Sequence, residues 1–147
     1  MSRNLSLALA IVLGLASAVN GLFMLVSPAN WYFAVPGVTT TGPFNQHFVR
    51  DIGLIFLLVA IAMLTGVLRP LARVPLWCAA ALWLAGHALF HFWEVAVGIC
   101  GTGALAQDFP AVTLPAILTT ILALWAWRDA KRSRRTHSME DSLAAQR

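Results

Sequence analysis

Charge is what this chain of 147 residues has least of: Asp, Glu, Lys and Arg together make up 11% of it, against 59% hydrophobic residues. A soluble domain carries roughly 25% charged residues. The deficit, with a mean hydropathy of +0.76, excludes an ordinary water-soluble fold and implies an integral membrane protein. Cysteine is scarce too. Cys78 and Cys100 stand at opposite ends of one expected helix, about 33 Å apart, so an intramolecular disulfide is excluded. Cys100 is left as a free thiol or for an intermolecular bond. Lys and Arg are absent from residues 28–45 and 98–109. No internal repeat argues for duplication, and no long polar stretch leaves room for a separate soluble domain.

What fills the chain is four apolar segments, residues 5–27, 46–68, 75–97 and 110–127. Each is near the ~20 residues a helix needs to cross a hydrocarbon core. The expected fold is all-α, an antiparallel bundle of four transmembrane helices over residues 1–128, followed by a basic polar cytoplasmic tail, residues 129–147. Arg3 ahead of an apolar run and Ala16-Ser17-Ala18 imitate a signal peptide. The run continues through residues 21–26, longer than the usual ~7–15-residue core of such a peptide, so the segment is read as a helix. Arg3, Arg69, Arg73, Arg128, Lys131, Arg132, Arg134 and Arg135 all fall on one side of a four-pass topology, which predicts both termini in the cytoplasm. The net charge of +4 and pI of about 10.1 are then topology signals and attraction to lipid headgroups, with no nucleic-acid partner implied.

The first helix carries small residues four apart, Gly14/Ala18 and Ser17/Gly21, which let helix backbones approach closely. That face is expected to pack inside the bundle or against a second protomer. Asn20 needs a polar partner at its depth. Residues 27–37 mix aromatics with turn formers, fitting either a short amphipathic helix over residues 30–33 folded back as a lid or a bare aromatic belt. Pro115 can bend the fourth helix, with Thr113, Thr119 and Thr120 placed to satisfy the backbone groups it frees. Trp125 and Trp127 mark the cytoplasmic interface.

Against this background a few polar residues stand out. His87, His91 and Glu94 lie at i, i+4 and i+7 of the third helix and share one face. A charged group near the bilayer centre costs about 2.5–3.5 kcal/mol on insertion scales, so these side chains are expected to face a bundle interior or a wet cavity. His47, Arg50 and Asp51 form a second such face at the start of the second helix, with Asn45 as its cap. The short link 69–75 makes the two helices neighbours. Helical rise places Glu94 about 4–5 Å and His91 about 9 Å from one end of the third helix, level with Arg50 and Asp51 at about 6–8 Å on the second. The two sets are therefore expected to meet, with His87 deeper.

Four readings of that cluster follow. In the plainest, Arg50 neutralises Glu94 or Asp51 in an internal ion pair, although buried pairs yield little net stability. In the leading functional one, His47, Arg50, Asp51, His87, His91, Glu94 and Asn20 line a pocket for a small or lipid-like ligand, a quinone being one candidate, in a redox-accessory role. There Arg50 would grip an acidic or carbonyl group and the imidazoles would pass protons. In the third, His47, Asp51, His87, His91 and Glu94 supply ligands to a transition metal, zinc, copper or iron, with Arg50 repelling the cation. Bis-His haem is weaker still. In the fourth, Glu94 or Asp51 is the coupling carboxylate of a small proton-coupled transporter, against which stands its distance from the midplane.

Thr41-Gly42-Pro43-Phe44-Asn45-Gln46-His47-Phe48-Val49-Arg50-Asp51-Ile52-Gly53, together with Gly86-His87 through Glu94, resembles the small bacterial four-helix membrane proteins of the broad DoxX-like kind. The resemblance covers all four helices. It implies a bacterial inner-membrane protein and, since some members are linked to quinone-dependent sulfur oxidation, a redox setting. It carries over no catalytic residue.

Overall fold

The structure, a computed structural model, describes residues 1–144, with side chains through Arg134; the side chain of Arg135 and residues 145–147, both assigned above to the basic tail, lie outside the described residues. All regular structure is helical, with no strand among the described residues. The long helices are α1 (Arg3–Val26), α3 (Gln46–Leu68), α4 (Arg73–Ala96) and α6 (Leu114–Ala144), joined by the short α2 (Pro28–Ala34) and α5 (Gly103–Asp108). Four spans, Arg3–Val26, Gln46–Leu68, Pro70–Ala96 and Gly103–Arg134, are long and apolar enough to cross a membrane.

Local chemistry explains most boundaries. Asn45 Oδ1 accepts the Phe48 N–H at 3.1 Å and starts α3, as the sequence led one to expect. The helix α4 begins at Arg73, two residues ahead of the expected 75, because Pro75 falls in the first turn, where a missing N–H leaves no gap. Its end is a Schellman turn: Ile99 N–H bonds Glu94 O at 2.9 Å and Gly98 N–H bonds Val95 O at 3.2 Å, with Gly98 at φ 79°. Glu94 is thereby fixed in the last turn of α4.

The fourth span departs furthest from expectation. Residues 103–109, which precede the expected fourth segment, are mostly helix, and α5 runs into a π turn, Phe109–Thr113, before α6. The turn holds Pro110, and Leu114 N–H reaches Phe109 O five residues back. A wider turn at a proline is one of the known ways a helix accommodates the missing donor. The threonines do not repair it. Thr119 Oγ1 donates to Pro115 O at 2.8 Å and Thr120 Oγ1 to Ala116 O at 2.7 Å, ordinary bonding back along the helix. Beyond residue 127 the basic segment continues α6 as helix to Ala144.

The helices pack most extensively as two pairs, α1 on α3 and α4 on α6. In the first pair, a Cβ on Gly21 would lie 2.7 Å from Gly53 O and one on Gly14 2.8 Å from Leu64 Cγ. Gly14 and Gly21 are thus covered by α3 within the chain. The pairs join through α3 and α4 near their link. Trp77, fully buried, donates Nε1–H to Met63 O at 3.0 Å, and Gly66 alone leaves room for its indole. Arg73, 4% exposed, donates to Gly66 O at 2.8 Å, placing a cation on the unpaired carbonyls at the α3 C-terminus. Its guanidinium also lies over the Trp77 and Trp125 rings, 5.5 and 5.7 Å from their centroids. Away from this knot the pairs diverge, and a cavity opens between them.

Candidate functional site

The cavity measures ≈ 1300 Å³ and is walled by α1, α3, α4 and the α5–α6 junction, with α2 and the following loop across one end. Its α1 wall is Leu13, Ala16, Ser17, Asn20 and Met24, and its α3 wall is Phe48, Val49, Ile52 and Phe56. The lining is mostly apolar, and among the described residues no Lys or Arg side chain takes part.

The helix α2 stays over the cavity through two hydrogen bonds. Trp31 Nε1–H donates to Asn20 Oδ1 at 2.9 Å, giving Asn20 its partner, and Tyr32 O–H donates to Gly42 O at 2.6 Å. Of the two alternatives for this segment, the folded-back short helix is what forms, over Pro28–Ala34. Gly37, at φ 86°, turns the chain where a Cβ would come within 3.6 Å of Asp108 Oδ1, so the loop after α2 closes against α5.

Polarity in the cavity is concentrated on α4. Trp83, His87, His91 and Glu94 all line it, the first three four residues apart on one face. The Trp83 and His87 rings stack with centroids 6.0 Å apart, and His87 meets His91 edge to face at 4.7 Å. His91 Nδ1 lies 2.8 Å from Asp108 Oδ2. With its proton on Nδ1, His91 donates to that carboxylate and offers Nε2 as an acceptor. Two groups on the same wall are left over. Trp83 Nε1 is the one fully enclosed side-chain nitrogen or oxygen among the described residues with no hydrogen-bond partner. Glu94 is 8% exposed, and its carboxylate makes no hydrogen bond or ion pair among the described residues.

The expected meeting of helices α3 and α4 through their polar residues does not occur. The face of α3 that lines the cavity is Phe48, Val49, Ile52 and Phe56; at roughly 100° per residue His47, Arg50 and Asp51 point elsewhere. His47 Nε2 pairs with Asp51 Oδ2 at 3.2 Å on an exposed surface. Arg50 Nε donates to Leu25 O at 3.2 Å, capping the end of α1 with positive charge, and it makes no ion pair with Glu94. Asn20, His87, His91 and Glu94 do share the cavity. The five residues considered as metal ligands are divided between these two places, and among the described residues no three His, Cys, Asp or Glu gather where they could hold one ion. Cys78 and Cys100 are both free.

Sequence reasoning missed Asp108 and Trp83. Asp108 lies between the expected third and fourth segments, where its only signal is a position two residues ahead of Pro110. Trp83 is four residues before His87, so it shares the histidine face. Nothing in the sequence sets its indole apart from the other membrane-helix aromatics.

Fold and site together define an all-helical protein with four helices long and apolar enough to cross a membrane, enclosing a mostly apolar cavity with a short polar column on one wall. No protein-family model matches the chain, and neither a curated protein nor a solved structure does.

Proposed function

We propose that this is a bacterial inner-membrane protein, its four helices antiparallel and both termini cytoplasmic, that binds a small lipid-like ligand in the cavity in a redox-accessory role, with a quinone as the leading candidate. The single observation that carries the reading is the ≈ 1300 Å³ mostly apolar cavity, with the Trp83, His87 and His91 rings in a column on one wall. The Trp83 indole N–H, enclosed beside that wall with no partner, is a buried donor left unmade at a cost of about 1–3 kcal/mol, and a small turn of the ring towards the cavity would bring it to an acceptor on a ligand. A quinone carbonyl is such an acceptor. The volume exceeds the roughly 300–1,000 Å³ of ordinary small-molecule pockets, which leaves space for an apolar tail beside a ring.

The absence of Lys and Arg from the lining favours an uncharged ligand over the acidic one that Arg50 was expected to hold. His87, stacked on Trp83, extends the flat surface against which a ring would lie. Arg69 and Arg73 at the α3–α4 link and Arg128, Lys131, Arg132 and Arg134 late in α6 support the cytoplasmic assignment. The DoxX-like resemblance supports the redox setting.

The test is titration of decyl-ubiquinone into the protein in lipid nanodiscs, followed by tryptophan fluorescence, since Trp31 and Trp83 both line the cavity. Saturable quenching at one quinone per chain is expected. Quenching that only rises linearly with quinone in the bilayer contradicts the proposal.

A further inference from the structure

We propose that the end of the cavity beneath α2 is a second subsite, apart from Trp83, that takes the head of an amphiphilic organic cation. The inference rests on the cavity being a ligand site but not on the ligand there being a quinone. Glu94 is the starting point: it lines the cavity, is 8% exposed and has no partner among the described residues. A carboxylate in a mostly apolar wall with no ion-pair partner is a counter-charge open to a cation entering the cavity. No cation among the described residues does so, because Arg50 is engaged at Leu25 O and no described Lys or Arg lines the cavity.

The surroundings fit that charge. Asp108 adds a second carboxylate, shared at 2.8 Å with His91 and with its Oδ1 towards the loop at Gly37. Trp31, Tyr32 and Phe48 line the same cavity and bring aromatic faces, which attract quaternary ammonium and phosphonium groups more strongly when water is excluded. Glu94 stands eleven residues beyond Trp83 on α4, about 16 Å along the helix axis, so the two groups can serve different parts of the cavity. An apolar body would extend from the Glu94 end towards Ile52, Phe56 and Leu13.

Two probes of equal shape and opposite charge, tetraphenylphosphonium and tetraphenylborate, separate this from general greasiness. Equilibrium dialysis uses the full chain in detergent, as wild type and as Glu94→Gln. Saturable binding of the phosphonium, at least tenfold weaker binding in Glu94→Gln, and no saturable binding of the borate are expected. Borate binding as tight as phosphonium binding overturns the proposal, as does an unchanged phosphonium affinity in a folded Glu94→Gln. Should that variant fail to fold, the comparison of the two ions on the wild-type chain decides alone. Saturable decyl-ubiquinone binding with no phosphonium binding overturns the cation subsite and leaves the ligand cavity standing. Loss of saturable binding for every probe overturns both.

Discussion

Gly66→Leu is expected to destabilise the protein by about 3–5 kcal/mol, the loss typical of removing a large buried aromatic from a core. A Cβ at position 66 falls on the Trp77 indole, a fully buried ring in the core shared by α3 and α4. The indole cannot step aside without giving up its bond to Met63 O, and Arg73, which reaches Gly66 O beneath it, loses its acceptor geometry as well. Overpacking and broken hydrogen bonds therefore act at one place. Gly86→Ala is the control, since a methyl there meets nothing within 4 Å. Thermal melting followed by size-exclusion chromatography should show a large fall for the first variant and none for the second. Equal melting temperatures would mean that the α3–α4 knot is not what joins the two helix pairs.

Trp83→Phe should weaken decyl-ubiquinone binding roughly tenfold, about 1.4 kcal/mol, within the range for one buried hydrogen bond. Phenylalanine keeps an aromatic ring against His87 and removes the N–H. The effect on the ligand-free protein should run the other way. The indole donor has no partner to lose, so its removal leaves stability unchanged or slightly raised, apart from the smaller ring volume. A tryptophan kept only for packing would show the opposite pair of results: unchanged affinity and a lower melting temperature.

Much of the architecture was legible in the sequence because lipid-crossing helices announce themselves by length and apolarity, and α3 (Gln46–Leu68) matches the expected 46–68. The α5–α6 region was not legible, since Pro110 reads as a helix start unless a π turn absorbs it. The site was half legible. The i, i+4, i+7 spacing put His87, His91 and Glu94 on one face, and the structure gives that face a cavity. Chain connectivity then suggested the wrong partners. A short link between α3 and α4 brings the helices together, but rotation about each axis decides which side chains meet. Here that rotation is governed by Gly53 against α1 and by Trp77 under Gly66, neither of which is a polar residue. His91 finds Asp108, supplied by a helix that the loop-like composition of residues 98–109 concealed.

The central claim, that the cavity holds a lipid-like molecule, is tested most directly by native mass spectrometry of protein released from nanodiscs drawn from its own membrane. A comparison with Ile52→Trp, which fills the α3 wall of the cavity, provides the contrast. The wild-type chain should carry one small-molecule adduct, identifiable by its mass after dissociation, and the filled variant should emerge bare. Two bare proteins, or the same adduct on both, would contradict the account.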